Sequence, residues 1–211
     1  MYELHDFARS SAAYRVRIAL ALKQVSYSTE PVNLVAGEHY EGDFRSLNPQ
    51  SLVPVYSDEN IHLTQSLAII EYLDERYPEP PLFPKGLAER AHVRQIAQLV
   101  ASDIHPLNGF RVHAYLRDSL RVTANKRRQW FRYWIMDGLD ALELLITSFN
   151  NRNQGHAVGD KVTLADIVII PQMDLARRNG IDIEEFPRLA AIFENCMAID
   201  AFSQTHADAA Q

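Results

Sequence analysis

The sequence has little cysteine and no long apolar run. Cys196 is the single cysteine among 211 residues, so an intramolecular disulfide is impossible and a cysteine-based metal site is disfavoured. The longest apolar stretches, such as IVIIP and ALELLI, are far too short to cross a bilayer. The N-terminal stretch MYELHDFARSSAAYRVR lacks the apolar core and the small-residue cleavage pattern of a signal peptide. We therefore expect a cytoplasmic protein with no membrane partner.

Positive charge is not in excess either. The chain has 21 Lys and Arg against 27 Asp and Glu, a formal net charge of -6, and a pI near 5.7. Such a chain has no overall attraction for nucleic acid or anionic membranes, so we expect no nucleic-acid partner, and any bound anion must meet a local group of Arg or Lys. With 47% hydrophobic and 23% charged residues, the composition is that of a globular protein with a sizeable core.

The first part of the chain alternates between strand and helix patterns. Residues Tyr2–Phe7 alternate loosely, and the stretch YRVRIALALKQ that follows is strongly helical, with Ser10 or Ser11 available as its N-cap. Residues Ser26–Leu34 are rich in Val, Tyr and Thr, which predicts a second strand. A helix-capable stretch, GEHYEGDFRSLNP, comes next.

A hairpin and a helix complete this part. Strands are predicted at Val53–Ser57 and Ile61–Leu63 around a turn at 58–60. The stretch QSLAIIEYLDERYP then predicts an amphipathic helix that Pro78 stops. The order β-α-β-α-β-β-α is that of a thioredoxin-like α/β domain with a mixed four-stranded sheet.

A proline-rich segment, PEPPLFPKG, separates this part from a helical remainder. The sequence predicts one helix start there clearly. The stretch VTLADI has the pattern of a capping box, in which Thr163 is the N-cap and the Asp166 side chain accepts from the Thr163 backbone N–H. We expect this capping role for Asp166 rather than a catalytic one. The prediction is a thioredoxin-like domain at 1–80 followed by an all-helical (all-α) domain at 86–211.

Several motifs together resemble one family. The run RSSAAYRVRIAL at 9–20 closely resembles the SSCxxRVRIAL motif of zeta-class glutathione transferases. The pairs Asn48-Pro49 and Val53-Pro54 and the stretch QSLAIIEYL at 65–73 are similar to the glutathione-site segments of that family. In the helical half, the match continues through DIHPLN, VGD and the pair Pro171-Gln172. The resemblance covers nearly the whole chain and implies the glutathione transferase fold, glutathione as cofactor and a homodimer.

The resemblance also implies a reaction, the cis–trans isomerisation of maleylacetoacetate to fumarylacetoacetate. A soft nucleophile has to add to the conjugated double bond, allow rotation and leave. The glutathione thiol suits this role, but a free thiol is mostly protonated near neutral pH. A hydroxyl at a helix N-terminus would lower the thiol pKa through a hydrogen bond and partial positive charge. Ser10 and Ser11 are therefore the predicted catalytic residues, with Ser10 favoured as thiolate partner and capping expected of Ser11 or of both.

Other residues are predicted to hold the rest of glutathione. Val53, before a Pro54 that the family implies is cis, would offer its backbone N–H and C=O. Gln65 and Ser66 open a helix whose N–H groups would face a carboxylate, although Ser66 could be a plain N-cap. His39 would reach the glycyl end, and its alternative is an ordinary surface position.

His105 and Asn108 lie one helical step apart and are predicted to contact the cofactor. Alternatively, they satisfy backbone carbonyls exposed by a kink at Pro106. The pattern Asp103-x-His105 is too sparse for a metal site, and we predict no metal.

The substrate, a maleyl keto acid, is dianionic near neutral pH and requires local positive charge. Arg9, Arg111 and Arg178 are the predicted substrate-binding residues, because a guanidinium group matches a carboxylate better than lysine does. The alternative is a solvated helix face, since basic residues abound in the helical half.

One departure from the family motif is Ala12, which stands where the motif has a cysteine. Because the attacking thiol would be that of glutathione, we expect the chemistry to survive this replacement. Substrate affinity and redox sensitivity are the properties that it puts in question.

Three other functions compete with this isomerisation. Maleylpyruvate requires the same chemistry as maleylacetoacetate, so the sequence does not separate these substrates. A conjugating transferase for small electrophiles such as α-halo acids would share the site but consume glutathione. A non-catalytic interaction module would be expected to lose Ser10, Val53-Pro54 and Gln65-Ser66, all of which are present.

Overall fold

The computed structural model describes residues 2–149 and 155–208, which pack as two compact units. The first unit comprises Met1–Leu82 together with Met197–Gln211, and the second comprises Phe83–Cys196. The sequence did not lead us to expect the return of 197–208 to the first unit. The domain limits 1–80 and 86–211 stay predictions.

A mixed four-stranded sheet forms the base of the first unit, in the order β2-β1-β3-β4. Strand β1 (Glu3–Asp6) runs parallel to β2 (Ser28–Pro31) and antiparallel to β3 (Val55–Ser57). Strand β4 (His62–Thr64) pairs antiparallel with β3. A parallel neighbour requires a crossover connection, and the predicted helix between the first two strands provides it. The predicted mixed sheet is confirmed.

The described residues of the first unit form the α-helices α1 (Ser11–Leu22), α2 (Gly42–Leu47), α3 (Ser66–Arg76) and α9 (Asp200–Ser203). Residues 13–20 of α1 are all buried, as expected for a central helix that is apolar on most of its circumference. Beside the sheet, a small core cluster joins Val32, Phe44, Val53 and Val55.

Polar side chains of α1 hold the returning segment 197–208. The Tyr14 hydroxyl donates to the carbonyl oxygen of Phe202 at 2.7 Å. The Nε of Arg17 donates to the carbonyl oxygen of Thr205 at 2.9 Å, and its Nη1 donates to both carboxylate oxygens of Asp6, at 2.8 and 2.7 Å. A buried cation with a bidentate carboxylate therefore anchors this segment on the sheet unit.

The second unit is helical in its described residues. Its α-helices are α4 (Leu87–Gln98), α5 (Phe110–Asp118), α6 (Ala124–Phe149), α7 (Leu164–Arg178) and α8 (Pro187–Met197). A π-helical stretch at Leu99–Ile104 and a 3-10 turn at His105–Asn108 follow α4. The helix type therefore changes twice in the region where a kink at Pro106 is expected.

Helix α7 starts at the predicted capping box. The Asp166 Oδ2 atom accepts from the Thr163 N–H at 2.8 Å and from its hydroxyl at 3.0 Å. The capping role of Asp166 is confirmed. Within 2–149 and 155–208, every helix falls short of the length or the apolarity that a bilayer crossing requires.

Candidate active site

Ser10 is the N-cap of helix α1. Its Oγ atom accepts a hydrogen bond from the Ala13 N–H at 3.2 Å, and its backbone is extended, with φ -74° and ψ 117°. The expectation that Ser11 alone or both serines cap the helix is wrong, because the capping oxygen is that of Ser10. A hydroxyl has one donor and two acceptor positions, so this cap leaves the Ser10 O–H able to donate to another group.

The two residues after Ser10 differ from it in exposure. Ser11 is the first residue of α1 and is buried, with 4% of its surface exposed. Ser10 and Ala12 are both half-buried. Of the two predicted catalytic serines, Ser10 is therefore the one that an incoming thiol can reach more easily.

The predicted cis bond before Pro54 and the predicted helix start at Gln65–Ser66 are both present. The Val53–Pro54 peptide bond is cis, as the resemblance implied, and Val53 is buried. Gln65, the N-cap of α3, has φ 68° and ψ 111°, a region that non-glycine residues rarely occupy and that recurs at functional sites. Its side-chain Nε2 donates to Gln50 Oε1 at 2.6 Å.

Arg15 is a residue that the sequence reasoning missed. It lies on α1 with 2% of its surface exposed, and its Nη1 donates to the Ser66 hydroxyl at 3.3 Å. Its Nε and Nη2 atoms are buried and have no hydrogen-bond partner within 2–149 and 155–208. Burial lowers the Arg15 pKa to about 10, so the guanidinium remains charged at neutral pH. A possible signal was the pair of arginines, Arg15 and Arg17, within an otherwise apolar helix.

This arginine joins two predicted parts of the site. Within 2–149 and 155–208, no hydrogen bond links Ser10 or Ser11 to Gln65 or Ser66. Arg15 instead provides a side-chain hydrogen bond between α1 and the start of α3. The buried Arg15 guanidinium has two N–H groups without a partner among the described residues, and it lies beside the N-terminus of α3. Both features favour an anionic group at that point. Glutathione carries a carboxylate at each end, so the residues fit this cofactor.

His39 lies in the 3-10 turn at Glu38–Tyr40 and is buried. Its ring packs on that of Tyr40, with the ring centroids 3.9 Å apart. Burial lowers the pKa of His39, so its imidazole is neutral at pH 7 and suits a hydrogen bond more than an ion pair. The alternative of an ordinary surface histidine is wrong.

In the second unit, His105 and Asn108 begin and end the 3-10 turn after the π-helical stretch. Asn108 is buried and its Nδ2 donates to the Ile104 carbonyl oxygen at 3.3 Å. Its Oδ1 is also buried and finds no partner in the part of the chain that the structure describes. The interpretation that Asn108 satisfies a backbone carbonyl is therefore confirmed for its amide nitrogen.

The three predicted substrate arginines differ in their surroundings. Arg9 and Arg111, the second residue of α5, are both exposed. Arg178 is the last residue of α7, and its Nε is 2.7 Å from Oδ2 of the buried Asp174. A substrate carboxylate at Arg178 would therefore share that side chain with Asp174.

Comparison with known proteins places the chain in a family. Residues 2–75 match the family model described as glutathione S-transferase, N-terminal domain, and residues 139–200 match the corresponding C-terminal domain. The maleylacetoacetate isomerase of Pseudomonas aeruginosa PAO1 is 42% identical over 211 residues, covering 97% of this chain and 95% of that protein.

Comparison with solved structures leads to the same family. The holo structure of a maleylpyruvate isomerase, described as a bacterial glutathione S-transferase in zeta class, has a TM-score of 0.94 at 39% identity and covers 98% of this chain and 97% of that one. A maleylacetoacetate isomerase from Methylobacterium extorquens AM1, with bound malonate and glutathione, has a TM-score of 0.94 at 35% identity, with 98% and 97% coverage. Sequence and fold therefore agree over nearly the whole length, and the chain belongs to the zeta class of the glutathione S-transferase family.

Proposed function

We propose that this protein is a glutathione-dependent cis–trans isomerase that converts maleylacetoacetate to fumarylacetoacetate. The observation that carries the proposal is the geometry of Ser10, whose oxygen caps α1 while its O–H stays able to donate. The substrate is inferred from relatives, among them a maleylacetoacetate isomerase that is 42% identical.

Bound glutathione supplies a thiolate that adds reversibly to the conjugated double bond and so permits rotation. The task of Ser10 is to donate a hydrogen bond to that sulfur and keep it deprotonated. A hydrogen bond to a charged group contributes about 1.5–3 kcal/mol, and a helix N-terminus contributes about 0.3–1 kcal/mol. Together these correspond to roughly one to three pKa units, enough to make the thiolate abundant near neutral pH.

The start of α3 is the proposed binding point for the γ-glutamyl carboxylate. Ser66 offers its hydroxyl and its N–H there, and Arg15 behind it supplies the compensating positive charge. The φ of 68° at Gln65 supports a positioned residue at this point. Val53 would pair its backbone with that of the cofactor, and neutral His39 would meet the glycyl end. His105 and Asn108 are retained as proposed cofactor contacts.

Arg9, Arg111 and Arg178 are the proposed partners of the substrate carboxylates. The exposure of Arg9 and Arg111 supports this role, because an exposed guanidinium group can reach a carboxylate and bind it through two parallel hydrogen bonds. Malonate, a small dicarboxylate, is bound in the Methylobacterium extorquens relative. Arg178 is the weakest of the three, since Asp174 already holds it.

A direct assay tests the proposal. The purified protein would be given maleylacetoacetate and maleylpyruvate separately, with and without substoichiometric glutathione. We expect isomerisation of maleylacetoacetate that requires glutathione and leaves the total free thiol unchanged. Faster turnover of maleylpyruvate would favour the function of the relative that is 39% identical. Loss of free thiol with α-halo acids, without isomerisation, would instead identify a conjugating transferase.

We also propose that the protein acts as a homodimer in the cytoplasm. The single cysteine suits a reducing compartment, and dimerisation follows the family expectation. Sedimentation equilibrium would test the dimer, because a single species near 24.0 kDa would contradict it.

A further inference from the structure

Three side chains with metal-binding chemistry meet in the second unit, apart from the residues proposed for glutathione. His156, Asp166 and Cys196 each bring one ligand atom to a group in which all three atoms lie within 4.8 Å of one another. His156 Nδ1 is 3.7 Å from Asp166 Oδ1 and 3.8 Å from Cys196 Sγ. The nitrogen therefore lies close to both the oxygen and the sulfur.

The two separations that involve His156 are close to those required by a shared cation, and the Asp166 oxygen and the Cys196 sulfur lie within 4.8 Å of each other. Zinc binds Cys sulfur at about 2.3 Å, His nitrogen at about 2.0–2.1 Å and carboxylate oxygen at about 2.0–2.2 Å, in tetrahedral geometry. Ligand atoms on such a cation are roughly 3.3–3.7 Å apart. The two separations that involve His156 thus need to shrink by only a few tenths of an ångström.

Two of the three ligands are held rigidly. Asp166 lies in the first turn of α7 and Cys196 near the end of α8, and both are fully buried. The Asp166 Oδ2 atom accepts hydrogen bonds from both the N–H and the hydroxyl of Thr163, whereas Oδ1 accepts one from the Ala157 N–H at 2.8 Å. A carboxylate oxygen has two lone pairs, so Oδ1 keeps one for a cation without giving up the helix cap.

His156 is the ligand that can adjust. It lies outside the helices and is half-buried. Its backbone is anchored by Arg188, whose Nη2 donates to the His156 carbonyl oxygen at 2.9 Å. The anchored backbone keeps the ring near Asp166, while rotation of the side chain allows small changes in the position of Nδ1. Its partial exposure gives an ion a route from solvent.

We propose that His156 Nδ1, Asp166 Oδ1 and Cys196 Sγ form a site for one divalent cation of the zinc type, with water as the fourth ligand. A nitrogen, an oxygen and a sulfur donor together select borderline cations over Mg²⁺ or Ca²⁺, which prefer oxygen alone. Burial and the nearby Asp166 charge raise the pKa of the Cys196 thiol, so each binding event releases the thiol proton to solvent.

The single cysteine makes the site easy to observe. Co²⁺ would be titrated into the purified full-length protein, dialysed free of glutathione, in a mildly alkaline buffer. We expect a sulfur-to-cobalt charge-transfer absorbance that saturates at one ion per chain and is displaced by Zn²⁺. Because Cys196 is the only protein sulfhydryl, such a band can come from this site alone.

Variants separate the site from adventitious binding by other histidines. Cys196→Ser, which nearly conserves volume, should abolish the charge-transfer band. His156→Gln should weaken Co²⁺ binding by more than the roughly 10- to 100-fold typical for loss of an outer-shell partner. His62→Gln, at an exposed position on β4, is the matched control and should leave the titration unchanged.

Thermal unfolding provides an independent measurement. Excess Zn²⁺ should raise the Tm of the wild-type protein and of His62→Gln but not that of Cys196→Ser. Absence of the band in folded wild-type protein, or an unchanged band in His156→Gln, would overturn the proposal. Absence of the band would leave the three side chains as a His–Asp pair packed beside a buried thiol, and an unchanged band in His156→Gln would mean that the cation does not use His156.

Discussion

Replacement of Arg15 by methionine is expected to stabilise the cofactor-free protein while weakening its affinity for glutathione. Arg15 is 2% exposed, its strongest contact is the 3.3 Å hydrogen bond to Ser66, and among the described residues no carboxylate pairs with it. The fold therefore holds a charge that it solvates poorly. A methionine of similar length would remove that charge and fill much of the space.

The magnitude follows from the pKa of Arg15. Burial lowers the pKa of Arg15 from its ordinary value to about 10, and at about 1.4 kcal/mol for each pKa unit this corresponds to a destabilisation of ~3 kcal/mol. A group with a lowered basic pKa destabilises the fold throughout the range below its folded pKa, so the effect is fully present at pH 7. The substitution also removes the hydrogen bond to Ser66, which costs about 1 kcal/mol and offsets part of the stability gained by removing the charge. The remaining ~2 kcal/mol corresponds to a rise in Tm of roughly 4–8 °C.

The assays are thermal unfolding of the cofactor-free protein and calorimetric titration with glutathione. Loss of a charge-assisted interaction of about 1.5–3 kcal/mol should raise the glutathione Kd roughly ten- to a hundredfold.

Arg17→Met is the matched control, because Arg17 lies on the same helix and is also buried but pairs with Asp6 at 2.7 Å. Breaking that pair leaves a buried carboxylate without its partner and should destabilise by about 3–5 kcal/mol. If Arg15→Met lowers the Tm as Arg17→Met does, or leaves the glutathione Kd unchanged, the reasoning about Arg15 is refuted.

Three further substitutions test the proposed chemistry. Ser10→Ala should raise the pKa of the bound glutathione thiol, seen as an upward shift in the ultraviolet thiolate titration, with little loss of binding; a shift in Ser11→Ala alone would reverse the assignment. Ala12→Cys should be tolerated, and a gain in turnover beyond about a hundredfold, ~2.7 kcal/mol of barrier, would show that a protein thiol takes part. Arg111→Ala should lower kcat/KM for the dianionic substrate about ten- to a hundredfold while sparing an uncharged electrophile; equal losses on both would make Arg111 a structural residue.

Local patterns predicted most of the elements. The strands at Glu3–Asp6 and Val55–Ser57 and the helix at Ser66–Arg76 lie within a few residues of their predicted positions, because alternation, β-branched residues and proline act over short distances. The capping box of Thr163 and Asp166 is likewise a local motif, with both partners within one helical turn.

Contacts between residues that are distant in the sequence were harder to predict. The burial of Arg15 depends on the position of α3, and no local pattern distinguishes it from Arg17, which has a carboxylate partner. The helix type changes at Leu99–Ile104 without glycine in that stretch and before the proline. The group of His156, Asp166 and Cys196 combines residues from a loop and two helices. In the sequence these residues are far apart, and local patterns show only a lone cysteine and a capping aspartate.

The return of residues 197–208 to the sheet unit has a consequence for synthesis on the ribosome. Tyr14 and Arg17 emerge early, yet their partners Phe202 and Thr205 are translated only after the whole helical unit, Phe83–Cys196. During synthesis the sheet unit therefore cannot complete these contacts until the helical unit has been translated. Until then Arg17 lacks its hydrogen bond to the Thr205 carbonyl oxygen. A circularly permuted gene that places 197–208 directly before residue 2 would remove this delay, and its product should acquire protease resistance earlier during translation.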